Sequence, residues 1–204
     1  MPHSSRNTGR ASTRRGLLKT LAAAVTLGAA ALAAPQPRAA AERDQKEYQL
    51  KAAYLYNFAN FVEWPAARFE KANSPIVIGV VGEDPFGPIL ERTFRDKKVG
   101  KRGFEFRRFK SVKELAPCHM LFVSRSEKRD FAAIVEHCRP RSILTVTDGD
   151  GFMGRGAVIN FFIEKKIIRF EVQTDEAKRF KLSVSAKLLQ LARVVRDRTP
   201  GGGE

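Results

Sequence analysis

Cysteine and histidine are scarce: the 204 residues include two Cys and three His. Two cysteines cannot build a disulfide-dense scaffold or a multi-site zinc framework. Beyond His3, only His119 and His137 are available as bases near neutral pH, which leaves little for acid–base chemistry. The signatures of the commonest enzyme classes are missing as well. There is no G-x-S-x-G elbow, no H-E-x-x-H helix, no Walker loop and no carboxylate pair set by a recognisable motif. No internal repeat, long Pro/Gly/Ser linker or second composition block divides the chain. Acidic residues are absent before Glu42.

That acid-free stretch reads as an export signal. Ser12-Thr13-Arg14-Arg15-Gly16-Leu17-Leu18-Lys19 opens onto an alanine-rich apolar segment from Leu17 to Ala34. The Arg14-Arg15 pair is the pattern of twin-arginine export, with Leu18 where that signal commonly has Phe. Arg38-Ala39-Ala40-Ala41 supplies a small-residue cleavage site between Ala41 and Glu42. An ordinary secretory leader and an uncleaved anchor are the alternatives, the anchor disfavoured because the segment is only weakly hydrophobic. Residues 1–41 are thus expected to be the signal, 42–198 one α/β domain, and 199–204 a disordered tail. The location this implies is periplasmic.

Export changes the meaning of the charge. The chain carries 37 Lys and Arg against 22 Asp and Glu. Six bases precede Glu42, so the mature part keeps 31 bases against the same 22 acids, an excess of nine. Outside the cytoplasm such an excess meets acidic protein surfaces, anionic headgroups or cell-wall polymers, and nucleic acid is not expected as a partner. The densest basic region runs from Arg95 to Lys101-Arg102 and Arg107-Arg108. Charge that keeps a face solvated is the alternative reading.

Periodicity alternates helix and strand. Leu50, Tyr54, Phe58 and Phe61 follow the helical period from Asp44 to about Val62, and Trp64-Pro65 ends the run. Ile76–Val81 is a continuous apolar run fit for a strand covered on both faces. A helix is expected from Asp84-Pro85 to about Phe94, a strand at Phe104–Phe109, and a short helix from Ser111 to Leu115. A strand at Met120–Val123, a helix from Ser126 to Cys138, and a strand at Ile143–Thr147 follow. Residues 157–163 and 167–172 form a hairpin, and a last helix is expected from Ser185 to Arg196, burying Leu188, Leu189, Ala192 and Val195. The order βαβαβαβ implies a mainly parallel sheet, hence a three-layer α/β sandwich with a C-terminal hairpin and helix.

In that topology Cys118 and Cys138 both fall at the amino-terminal edge of the sheet. A disulfide between them is the favoured reading in an oxidising compartment, closing about 21 residues and contributing roughly 3 kcal/mol. One competitor is zinc held by Cys118, His119, His137 and Cys138, disfavoured because adjacent residues at a strand start point to opposite faces; two unpaired structural thiols are the remaining alternative. The loops after the strands emerge at the opposite, carboxyl edge, where open α/β folds bind ligands. There Glu83, Asp84, Ser124, Arg125, Asp148 and Asp150 form a candidate ligand or partner site. Turn and cap chemistry is the alternative for the same Gly, Asp and Pro residues. No metal, cofactor or catalytic residue is assigned.

Seven motifs in order resemble the YfiR-like family over about residues 47–196. They are Lys51-Ala52-Ala53-Tyr54-Leu55-Tyr56-Asn57-Phe58 through Trp64-Pro65, Gly82-Glu83-Asp84-Pro85-Phe86-Gly87, and Cys118-His119-Met120-Leu121-Phe122-Val123-Ser124. Leu144–Asp148 with Gly151-Phe152, Gly156–Phe161, Ile168–Val172 and Ser185–Ala192 complete the set. The resemblance implies a non-enzymatic periplasmic regulator that represses an inner-membrane diguanylate cyclase, or a sensor kinase, by protein–protein contact. Phe58, Trp64, Phe122 and Phe161 within these motifs read as packing rather than interface, and a homodimer is compatible with the pattern. A periplasmic small-molecule binding module is the alternative.

Overall fold

The computed structural model describes residues 37–196, with side chains from residue 41 onward. Arg14, Arg15 and the tail 199–204 lie outside the described residues, and the expected cleavage position Ala41–Glu42 falls within the first helix.

That helix, α1 (Pro37–Phe61), begins earlier than its apolar period indicates. Its buried stripe runs Lys51, Leu55, Phe58, a spacing of four and three that keeps one face against the sheet. The strands that follow are β1 (Val62–Glu63), β2 (Ile76–Val81), β3 (Phe104–Phe109), β4 (Met120–Val123), β5 (Leu144–Asp148), β6 (Ile159–Glu164), β7 (Ile167–Gln173), β8 (Ser183–Val184) and β9 (Arg193–Val195). The remaining helices are α2 (Ile89–Phe94), α3 (Phe131–Cys138), α4 (Thr174–Arg179) and α5 (Ala186–Leu191).

Seven strands form the central sheet in the order β3-β2-β4-β5-β6-β7-β9, and β1 pairs with β8 in a separate two-stranded ribbon. Strands β3 through β6 are parallel to one another, β7 is antiparallel to β6, and β9 returns parallel to β7. The result is the expected three-layer sandwich with a mostly parallel sheet and a C-terminal hairpin. On one face α1 sets Phe58 against Phe161 and Phe170, and α2 sets Phe94 against Phe104 and Phe106. The aromatic residues expected in the core are there: Phe58, Phe122 and Phe161 are buried, and Trp64 packs partly buried against the core.

The β5–β6 crossover contains no helix. Residues 149–158 make it as a loop with glycines at positive φ, and the loop inserts Phe152 against Phe131 of α3. At Gly156 (φ 107°) a Cβ would sit 2.5 Å from Val135 Cγ1, so loop and helix meet at a distance only glycine permits.

Other helices differ from expectation as well. α2 starts at Ile89 rather than Asp84, because Gly87 takes φ 49° ahead of Pro88, and proline disfavours helical geometry in the residue before it. Asp84 instead closes a turn by accepting the Phe86 N–H at 2.8 Å. The helix expected from Ser126 divides into a 3-10 turn, Arg125–Lys128, and α3. The last helix stops at Leu191. Val194 and Val195 then pair with β7 as β9, a state their β-branched side chains favour.

A polar ladder explains that final strand. Thr147 Oγ1 donates to Asn160 Oδ1 (2.8 Å), Asn160 Nδ2 donates to Glu171 Oε1 (3.0 Å), and Arg193 Nη2 donates to Glu171 Oε2 (2.7 Å). These residues face each other in register across β5, β6, β7 and β9. Glu171 is buried, and Arg193 reaches it only if residues 193–195 are extended alongside β7.

Candidate functional site

The carboxyl edge of the sheet is built around Asp148, the last residue of β5. The residue is 2 % exposed, and both oxygens of its carboxylate are bonded. Oδ1 accepts from Arg125 Nη2 at 3.0 Å; Oδ2 accepts from Lys51 Nζ at 2.7 Å and from the Tyr48 hydroxyl at 2.9 Å. Arg125 Nε donates to the Asp148 carbonyl at 2.9 Å, so its guanidinium holds both the side chain and the backbone of the strand end. Lys51 also bonds Glu47, one turn earlier on α1. Two turns of α1 are thereby fastened to the end of β5.

Burial alone would raise the Asp148 carboxyl, but the hydrogen bonds and charges of Lys51 and Arg125 outweigh it and hold the group below the usual carboxylate range. Burial, reinforced by the nearby Asp148 charge, drives the Tyr48 hydroxyl well above its ordinary value. Arg125 loses some stability as a cation through burial and regains more from Asp148, so it too is held charged. Buried, bonded by three donors and held below the usual carboxylate range, Asp148 is a poor acceptor for a substrate proton. The cluster works as a clamp.

Around the clamp the predicted loops converge. Glu83, Asp84, Ser124, Arg125 and Asp148 line one cleft of about 240 Å³, joined by Tyr48 and Phe122. Asp150 lines a neighbouring cleft of about 550 Å³ with Arg125, Lys128, Asp148, Phe162 and Arg193. Asp84 is committed to structure: its Oδ2 accepts from Arg108 Nε at 2.8 Å, while Arg108 also grips Glu91 (2.6 Å) and the Gly87 carbonyl. Sequence reasoning missed Tyr48, Glu47 and Lys51. The available signal was a lysine in the apolar stripe of α1, four residues before Leu55 and seven before Phe58.

At the amino edge the buried polar side chain is instead a neutral ring. His119, 7 % exposed, accepts the Val77 N–H through Nδ1 (3.0 Å), leaving Nε2 to donate to the Arg68 carbonyl (3.1 Å). Its ring stacks on Phe69 at 4.5 Å, and Trp64 Nε1 donates to its carbonyl at 2.8 Å. Burial, with the charges of Arg68, Arg102 and Arg107, lowers the His119 pKa and keeps the ring neutral. With both ring nitrogens bonded to backbone, His119 has none free for zinc, and among the described residues no cluster of three or more potential ligands exists.

The Cys118–Cys138 bridge is not formed: both residues are buried free thiols. Topology does bring them to the same edge, since Cys138 accepts the Ile143 N–H at the entry to β5 and Cys118 lies two residues before β4. The Cys118 sulfur instead helps fill the space left by Gly79, with Phe109 and Leu121. Burial pushes the Cys118 thiol up to about 12 and raises that of Cys138 further, the neighbouring Cys118 adding to the effect.

Residues 48–193 match the model of a family described as YfiR/HmsC-like. The chain belongs to the YfiR/HmsC-like family. The match begins at Tyr48, a member of the clamp, and ends at Arg193, the last rung of the polar ladder. Membership sets this YfiR/HmsC-like chain in a periplasmic, regulatory context, that of cyclic di-GMP signalling. No curated protein matches the chain. Among the described residues no helix is long and apolar enough to cross a membrane.

Proposed function

We propose that this chain is an exported, non-catalytic regulator that represses an inner-membrane signalling protein, a diguanylate cyclase or sensor kinase, by contacting its periplasmic part. The commitment of Asp148 to internal bonds carries this reading. The groups best suited to chemistry, Asp148 at one edge and His119 at the other, are spent on internal bonds. What the domain offers outward is surface. Ile163 and Ile167 flank the tip of the β6–β7 hairpin at 56 % and 54 % exposure, next to Lys165 and Lys166, and are suited to pack against a protein partner. Repression follows if that partner's inactive state presents the better-fitting surface, because a ligand shifts an equilibrium only by its differential affinity.

In-cell crosslinking of the tagged protein, with mass spectrometry of what it captures, tests the reading. Capture of one inner-membrane protein with a cytoplasmic cyclase or kinase domain, abolished by Ile163→Asp, is the expected result. Unchanged cellular cyclic di-GMP on deletion of the gene, with no membrane protein captured, would overturn it. A second reading, a small-molecule binding module, is favoured by the two clefts that share Arg125 and Asp148. It requires a ligand-dependent rise in melting temperature that a purely protein-binding domain does not show.

A further inference from the structure

The excess charge of the domain is concentrated on one lateral edge. Residues 92–114 contain ten Lys and Arg against three Asp and Glu, an excess of seven out of the nine carried after residue 41. They comprise the end of α2, the α2–β3 loop, edge strand β3 and the turn that follows it. Arg108 is neutralised by Asp84 and Glu91, Lys97 lies over the Tyr56 ring, and Arg102 is spent on backbone carbonyls and Phe69. Arg95, Lys98, Lys101, Lys110 and Lys113 are exposed and have no ion pair among the described residues. Lys98 and Lys101 precede β3 while Lys110 and Lys113 follow it, so free cations bracket a strand about 20 Å long.

Keeping an edge strand from pairing with another copy takes one or two charges on the strand itself. Here the unpaired cations stand in the loops at both ends, where they do nothing to block strand pairing. We infer that the β3 edge is a docking surface for anionic phospholipid headgroups, seating the domain on the membrane that carries its partner. The compact lysine ammonium suits phosphate as a point charge, and each basic residue near an anionic surface adds roughly fivefold to partitioning. No apolar side chain needs to insert, so the attachment is electrostatic and reversible.

The test needs no protein partner, so its failure and that of the proposed regulation are separable. The purified mature protein is sedimented with vesicles of phosphatidylcholine alone or with phosphatidylglycerol, at low and at physiological salt. Binding only to the anionic vesicles, weakened by salt, is expected. Lys98→Gln/Lys101→Gln is expected to lower partitioning about 30-fold. Lys181→Gln/Lys187→Gln, which removes the same charge away from β3, should change it less than about threefold. Equal binding to both vesicle types, no binding to either, or equal losses in the two variants would overturn the inference, the second outcome assigning the stripe to an acidic protein surface.

Discussion

The two ends of the parallel sheet are held by opposite means. At the carboxyl end, charges neutralise one another around a buried pair: Lys51 with Asp148, joined by the partly exposed Glu47, the exposed Arg125 and the Tyr48 hydroxyl. At the amino end, neutral groups bond to backbone: His119 to Val77 and Arg68, Trp64 to the His119 carbonyl. Each solves the same problem, fixing α1 itself or the segment between α1 and β2 against one edge of the sheet. They differ in what removing one member costs. A neutral hydrogen bond leaves behind one unsatisfied amide, whereas half of a buried ion pair leaves an uncompensated charge.

Lys51→Ala should therefore produce the largest loss, about 3–5 kcal/mol in a urea titration, because Asp148 keeps its charge in a buried site. His119→Ala should cost less, about 1–3 kcal/mol, for the orphaned Val77 N–H and the lost packing on Phe69. Equal losses would erase the distinction between the ends. Acid sharpens it. The lowered pKa of His119 means that the unfolded chain binds its proton first, so stability falls as pH drops below about 6.5 toward the folded value. Asp148 is also lowered, so its contribution is present above about pH 4 and is lost as pH falls through its folded value. Stability measured against pH should thus fall in two stages, each by up to about 1.4 kcal/mol per pH unit. His119→Gln should diminish the upper stage, to which His137 also contributes, and Asp148→Asn the lower, to which Glu91 also contributes. The smallest effect belongs to the exposed pair of Arg108 and Glu91, where a double-mutant cycle should give less than about 1 kcal/mol.

The sandwich was legible because its parallel strands are covered on both faces and so read as apolar runs, Ile76–Val81 above all. The convergence of Asp84, Ser124, Arg125 and Asp148 was legible for a topological reason: loops after parallel strands emerge at one edge. Tertiary partners decided what was missed. Residues 192–195 carry a helix-compatible pattern, but Arg193 is drawn to Glu171 across a ladder that local sequence does not reveal. Lys51 looks like a helix-surface lysine unless it is counted against Leu55 and Phe58, and its counter-ion lies 97 residues away. The thiols show the limit of topology, which fixed their shared edge without fixing the direction of either sulfur.

The small ribbon of β1 and β8 has a consequence for how the chain is made. Val62 pairs with Val184 and Glu63 with Ser183, and the Ser185 N–H donates to the Phe61 carbonyl at 2.9 Å. The end of α1 is thus clasped by a segment that the ribosome delivers more than a hundred residues later. A nascent chain has its first helix and most of its sheet yet no clasp, so its amino-terminal third cannot close until translation is nearly complete. A chain cut short before residue 183 leaves that clasp open and the face of α1 beside it uncovered. A protease or transport machinery that tests foldedness would meet there a difference between a finished molecule and an interrupted one.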